Sequence, residues 1–368
     1  MTGLGPDHDR RAGRRGEDEP RPLGVVRDAE FTGPAQPRRP VSPVRDAELA
    51  GPTPGARPRD PQRTFRRKDV YTDAVVDGRL VPDTAWARAR AWVSGLLTSR
   101  AERDEAALEQ RLRAHQRGVT RSNVVAVVSP KGGVGKTTCA FLIGNLLASH
   151  VRLRTIVVDA NPDHGTLGLL APDGMRAEHT LSDAIGDLDR ISSAAELRPY
   201  VSVLPSGLHL MGAPADPQIM KTLTPQLYGQ LTAFLGRFYE VVVLDLGTGL
   251  TDPIAEFAIA RADQGVVVST PEWVTASIVL DAMRYIGGEH GNDHLTVVLN
   301  KAPVRDAGDR QRIEAEFRRQ QIVRRVTVPE DLRLKTMLDS GTYTLEALSR
   351  ASRVPIKQLG LAVAGQLV

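Results

Sequence analysis

The chain has 368 residues, with 48 Lys and Arg against 44 Asp and Glu, a formal net charge of +4 and a single cysteine, Cys139. One cysteine excludes an intramolecular disulfide and any multi-cysteine metal or iron-sulfur site within one chain, and it suits a reducing cytoplasm. The start, Met1-Thr2-Gly3 followed by charges, carries no signal-peptide core, and no run of about 18 apolar residues occurs, so a soluble protein, at most peripheral to a membrane, is expected.

Composition is uneven along the chain. Residues 1–70 hold 11 of the 25 prolines and 8 of the 33 glycines, with Phe31 and Phe65 as their only aromatics. So little apolar surface does not offset the entropy of ordering, and residues 1–83 are read as a disordered tail rich in Pro, Arg and Gly. The first 70 residues carry 15 basic and 11 acidic side chains, and the rest carries 33 of each, so the net charge belongs to the tail. A solvated arm and an arm that binds a polyanion or a protein partner both fit. Within it, Val26-Arg27-Asp28-Ala29-Glu30-Phe31-Thr32-Gly33-Pro34 returns as Val44-Arg45-Asp46-Ala47-Glu48-Leu49-Ala50-Gly51-Pro52. Phe31 and Leu49 would serve as apolar anchors for bivalent docking to a protein partner; low-complexity drift gives the same pattern.

Residues 84–121 are read as a helical linker. Trp86, Trp92, Val93, Leu96 and Leu97 among Arg88, Arg90 and Arg100 form a basic amphipathic pattern. Ser99 and Glu102 then predict a capping box for a second helix, with Leu108 and Leu112 at i, i+4. Such helices either pack on the domain that follows or, with two tryptophans beside arginines, face a membrane surface or a partner.

From residue 122 to 368 short apolar runs alternate with helical stretches, which predicts an α/β fold with a mainly parallel sheet covered by helices on both faces. The expected strands are Val124 to Val128, Thr155 to Val158, Val241 to Leu244, Gly265 to Ser269 and Leu295 to Leu299. The first runs into Ser129-Pro130-Lys131-Gly132-Gly133-Val134-Gly135-Lys136-Thr137-Thr138 and then a helical run through Phe141, Leu142, Leu146 and Leu147. Strand, glycine loop and helix in that order make a phosphate-binding P-loop. Glycines let successive amides point at phosphate oxygens, and the helix N-terminus adds partial positive charge. Lys136 is placed to neutralise terminal phosphates, Thr137 to reach magnesium and Thr138 to reach a phosphate. The chain has 7 lysines and 41 arginines, and two of those lysines fall in this loop.

This loop resembles that of the deviant Walker A superfamily, the ParA, MinD and related ATPases, which is marked by a second lysine near the loop's start; Lys131 stands there. The resemblance implies ATP and Mg2+ as cofactors and an ATP-dependent homodimer in which Lys131 reaches the partner subunit's nucleotide and stabilises charge in trans, as an arginine finger does. Three later segments match the family in order. Tyr239 to Gly249 looks like the Walker B strand, with Asp245 holding magnesium through water. Leu299-Asn300-Lys301 looks like the strand end that reads adenine, where the Asn300 amide both donates and accepts. Val328-Pro329-Glu330-Asp331 looks like the loop that closes over adenine, and Pro329 and Asp331 are assigned to the cofactor on that ground.

One segment departs from the family. Where partition ATPases read Asp-x-Asp-Pro, this chain reads Asp159-Ala160-Asn161-Pro162-Asp163-His164. Asp159 is kept as a metal-side carboxylate, but Asn161 brings no charge and takes no proton from the attacking water. Slow hydrolysis is expected unless Asp163 substitutes; a turn-capping Asp163 fits equally. The Asp-x-Asn-Pro form followed by Gly165-Thr166-Leu167 is similar to the MinD-like ATPases of secretion and pilus systems, including the TadZ and CpaE group and type VII secretion accessories.

Two functions follow, an ATP-switched dimer that positions cargo, and a nearly inactive ATP-binding scaffold recruiting partners through its tail. Arg310, Arg312, Arg318, Arg319, Arg324, Arg325, Arg333 and Lys335 would hold DNA non-specifically, although Asp309, Glu314, Glu316, Glu330 and Asp331 among them suit a salt-bridged face. A cytoplasmic protein recruited to the nucleoid or the inner membrane surface is expected. Pro355 to Val368 has only Lys357, lacks the lysine-rich face of a membrane helix and is expected to pack on the core, and Cys139 to pack as a small apolar residue.

Overall fold

Apolar runs that are buried on both faces dictate a parallel sheet between two helical layers, and the computed structural model has that arrangement. It describes residues 100–162, 165–250, 252–286, 292–303 and 308–368. The expected tail, its repeat, and the Trp86 and Trp92 helix lie outside the described residues.

Eight strands, β1 (Asn123–Ser129), β2 (Thr155–Ala160), β3 (Ser202–Val203), β4 (His209–Met211), β5 (Val241–Thr248), β6 (Gln264–Ser269), β7 (Leu295–Ala302) and β8 (Arg324–Pro329), form one sheet in the order β3-β4-β2-β5-β1-β6-β7-β8. All pairs are parallel except β3 with β4. The five expected strands are present. The three additional ones are two short strands, too brief to show a period, and β8, whose Arg324-Arg325 start hides its apolar alternation. β1 lies in the middle, with β2 reached on one side and β6, β7 and β8 on the other, so its carboxyl end opens at the crevice where ligands of such sheets bind.

The period of two assigns each strand side chain to a layer. Val125 and Val127 of β1 join one core with α2 (Lys136–Leu146) and the C-terminal helix α11 (Arg350–Ala364). Ala126 and Val128 join the other, built with α6 (Pro225–Leu235), α7 (Pro253–Arg261), α8 (Trp273–Ile286) and α9 (Gly308–Arg319). Three shorter helices, α3 (Leu181–Gly186), α4 (Ala194–Leu197) and α5 (Pro217–Met220), fill the connection from β2 to α6, and α10 (Leu332–Ser340) follows β8. α2 is buried nearly all round, Cys139 included, and it touches the sheet closely because Gly144 has no side chain: a Cβ there would stand 2.5 Å from Val157. Burial pushes the Cys139 thiol up to about 12, so it stays a neutral apolar group.

The second of the two expected linker helices is α1 (Arg100–Ala114), with Leu108 and Leu112 buried at i, i+4. It seats on α11 through Glu105, whose carboxylate accepts from Arg353 and Lys357 and faces Arg350. The chain's end packs on the core as its composition suggested: Ile356, Leu359, Val363 and Leu367 are buried. Asn123 Nδ2 donates to the Val368 carbonyl at 3.0 Å, and the Val368 amide donates back to Asn123 Oδ1 at 3.1 Å. Among the described residues no helix is long and apolar enough to cross a membrane.

The hydrogen bond from Arg353, aided by Lys357, holds the Glu105 carboxyl at about 2, below its ordinary 4.5. A depressed carboxyl stabilises the fold above the unfolded value and loses that contribution as pH falls through the folded one. Glu105→Gln is therefore expected to lower unfolding free energy by about 2 kcal/mol at neutral pH. The gap from the parent should narrow in urea titrations run progressively below pH 4.5.

Candidate functional site

β1 ends at Ser129 and α2 begins at Lys136, and the residues between them wrap the carboxyl edge of the sheet. Gly133 (φ 75°) and Gly135 (φ 94°) hold left-handed backbone that side chains disfavour. The Lys131 amide donates to Ser129 Oγ at 3.2 Å, and Gly135 is the residue that opens α2. The loop thus crowns the N-terminus of a buried helix, where unpaired amides and the helix dipole favour an anion. Lys136 is 9% exposed; burial lowers its pKa, and Asp245 opposes that shift.

Asp159 of β2 and Asp245 of β5 are register partners, so their carboxylates leave adjacent strands on the same face, the one that carries α2. Burial pushes Asp245 up to about 7, Asp159 adds to the rise, and a hydrogen bond from Thr137 and the charge of Lys136 oppose it. Burial pushes Asp159 up to about 6, against the amides of Leu167 at 2.9 Å and Asn161 at 3.3 Å. Asp245 Oδ1 is buried and has no hydrogen-bond partner among the described residues. Two buried carboxylates with an orphaned oxygen beside a threonine hydroxyl fit a hard divalent cation. Among the described residues no three His, Cys, Asp or Glu gather as a cage. A pair of carboxylates that leaves other positions to water and phosphate oxygens is the donor set Mg2+ takes.

The loop after β2 meets the end of β5 beside this pair. A Cβ on Gly247 would stand 3.0 Å from Asn161 Oδ1 and 2.7 Å from Pro162 Cδ. Asp163 and His164 lie outside the described residues. Lys131 is held at the start of α8, where its Nζ donates to Thr275 Oγ1 at 2.8 Å and lies 3.5 Å from Glu272 Oε2. Thr275 Oγ1 donates on to the same Glu272 oxygen at 3.1 Å. The side chains that follow, Trp273, Val274 and Ile278, are large, apolar and exposed.

On the far side, Asn300 Nδ2 donates to the Val134 carbonyl at 2.8 Å and Lys301 Nζ to the Gly133 carbonyl at 2.7 Å. Pro329 ends β8 and pairs with Ala302. Asp331 caps α10, accepting from the amides of Arg333 at 2.8 Å and Leu334 at 3.2 Å and from the Ser352 hydroxyl. The structure therefore gathers Lys131 to Thr138, Asp159, Asn161, Asp245 and Asn300 at one end of the sheet. In the basic cluster, Arg319 pairs with Glu316 at 2.6 Å and Arg310 with Glu314 at 3.9 Å, a salt-bridged surface. Sequence reasoning did not single out Glu272, Thr275 or Lys301. The first two have no local signal, an acid before Trp273 being an ordinary helix start; Lys301 had one, as one of 7 lysines directly after Asn300.

Residues 122–286 match the family model described as an AAA domain. The ESX-1 secretion-associated protein EspI of Mycobacterium tuberculosis is 29% identical over 230 residues, which covers 60% of this chain and 33% of that protein. The septum site-determining protein MinD of Synechocystis sp. is 26% identical over 185 residues, 49% of this chain and 65% of that one. The chain therefore spans about a third of the length of the first relative and just under two thirds of the second. The crystal structure of a ParA family ATPase from Chlorobium tepidum superposes with a TM-score of 0.55 at 20% identity, over 65% of this chain and 98% of that one.

Asp245→Asn removes one of the two carboxylates and keeps its volume. Titration with a fluorescent nucleotide is expected to show Mg2+-dependent affinity lowered by about 10- to 100-fold. The nucleotide-free protein should melt no lower than the parent, because an uncompensated buried charge is gone.

Proposed function

We propose, from the premise that this chain is a ParA/MinD-like P-loop ATPase related to MinD and to EspI, that it is an ATP-switched dimer that hydrolyses slowly and positions or recruits a cellular cargo. Hydrolysis of ATP is the general activity of the family. The observation that carries the slow rate is an asymmetry at the site: Lys131, Lys136, Thr137 and the buried pair Asp159 and Asp245 gather at one end of the sheet, and the residue two after Asp159 is Asn161, an amide and not a carboxylate.

In this reading the chain's own groups divide the work. Gly132 to Thr138 receive the phosphates, Lys136 neutralises them, and Thr137 and Asp245 hold Mg2+, with Asp159 beside them. Mg2+ when bound would supply neutralisation of phosphate charge. Asn161 orients water through its amide oxygen without taking its proton, and Asp163 is assigned that missing step. Asn300, with Pro329 and the loop at Asp331, receives the adenine. Lys131 leaves Thr275 and Glu272 to reach a second subunit's nucleotide. Support for that face comes from Trp273, Val274 and Ile278, exposed apolar side chains of the kind that mark an interface, on the helix that holds Lys131.

The similarity to EspI, a secretion-associated protein, favours a secretion apparatus as cargo and the N-terminal arm as the docking element. Non-specific DNA and a membrane surface are secondary surfaces, and a cytoplasmic location with recruitment to one of them accompanies the reading. Asn161 also favours the second reading, a nearly inactive ATP-binding scaffold, and turnover separates the two.

Size-exclusion with light scattering is expected to give a dimer with a non-hydrolysable ATP analogue and a monomer with ADP, and Lys131→Ala a monomer with both. A parent monomeric in both nucleotides would sink the switch. In steady-state assays Asn161→Asp should raise turnover by at least about tenfold, and Asp163→Ala should lower the parent's rate. No measurable turnover in the parent, with or without partner extract, selects the scaffold.

A further inference from the structure

We propose that Lys301 is a positioning residue of the nucleotide site, a clasp that keeps the phosphate loop open in its binding shape before any nucleotide arrives. The proposal deepens the nucleotide reading above and rests on it for its binding readout. Three observations converge on this residue.

The ladder between β7 and β8 is regular from Thr296 to Leu299 and resumes at Ala302, so Asn300 and Lys301 occupy an irregularity in the strand. Bulges re-aim side chains and gather beside active sites. Lys301 is one of three non-glycine residues in the described chain with left-handed backbone, at φ 56°. Such a conformation is disfavoured for an L-residue and persists where the surroundings hold it. Finally, the turn delivers two donors in succession to two acceptors in succession, Lys301 Nζ to Gly133 O at 2.7 Å and Asn300 Nδ2 to Val134 O at 2.8 Å.

The physical consequence concerns peptide orientation. A peptide unit is planar, so a carbonyl turned out toward Lys301 or Asn300 forces the amide of the same unit to the opposite side. Fixing the carbonyls of Gly133 and Val134 therefore fixes the amides of Val134 and Gly135, in the stretch that must present N–H groups to phosphate oxygens. Glycines at 133 and 135 leave this segment free to turn over, and the clasp removes that freedom. A charge-assisted bond is suited to the task, being roughly twice as strong as a neutral one. The ammonium also lies against the loop, so three of the chain's 7 lysines, at 131, 136 and 301, meet there. Lys301 is exposed.

The test uses the full chain with Lys301→Met and Lys301→Arg. In the nucleotide-free protein, amide hydrogen exchange of the peptide spanning residues 129–136 should quicken in the Met variant and return toward the parent rate in the Arg variant, which still donates to a carbonyl. Unchanged exchange in the Met variant overturns the proposal, whether or not the chain binds ATP. Titrations with Mg-ADP and with adenosine should then show ADP affinity lowered roughly five- to tenfold in the Met variant, adenosine affinity unchanged, and the Arg variant near the parent. Equal losses for ADP and adenosine would mean that Lys301 serves the base and not the loop, and would overturn the clasp. A parent that binds no nucleotide refutes the nucleotide reading alone, and the exchange measurement still decides on Lys301.

Discussion

Two carboxylates held side by side and buried at the carboxyl end of the sheet, against their own repulsion, are the constraint on which the site is built. Asp159 and Asp245 are forced together by the register of β2 and β5, and the residues around them remove water without supplying a full countercharge. Lys136 and Thr137 offset part of the cost; the rest appears as two raised carboxyl groups and an oxygen with no hydrogen-bond partner among the described residues. Such a pair is satisfied best by a divalent cation that arrives with its own anionic ligand, since a bare cation would leave the loop's amides unanswered. Metal and phosphate sites thus complete one another, and neither half is neutral alone.

The same economy explains what could be read from the sequence. The glycine loop was legible because its demands are local: left-handed backbone at Gly133 and Gly135, a lysine, a hydroxyl, a strand before and a helix after. The central strands were legible because burial on both faces leaves an unbroken apolar run. Asp245 and Asn300 were legible only by order behind the loop, since a strand ending in Asp or Asn has no chemistry of its own until the sheet brings it to the loop. What stayed hidden depends on contacts across more than a hundred residues. Thr275 and Glu272 reach Lys131 only once β6 lies beside β1, and the Lys301 turn exists only in three dimensions. β8 was missed for a different reason: as an edge strand it alternates weakly, and two arginines open it.

Asn161 gains meaning from this setting. The loop after β2 touches β5 at Gly247, so a carboxylate at 161 would add a third negative group beside two buried ones. An amide there lowers the electrostatic cost of the resting site while it removes the base.

The helix that opens the described chain is also tied into the core: α1 is seated by Glu105 on Arg353 and Lys357 of α11. The neighbouring residue on α11, Ser352, donates to Asp331, which caps α10 directly after β8 ends at Pro329. One turn further on, Ile356 and Leu359 enter the core that contains α2, and Gly360 allows α11 to approach Leu146 of that helix. α1, the start of α10 and the helix that begins at the phosphate loop are therefore braced by one helix. Elements separated by more than two hundred residues of sequence share a single support.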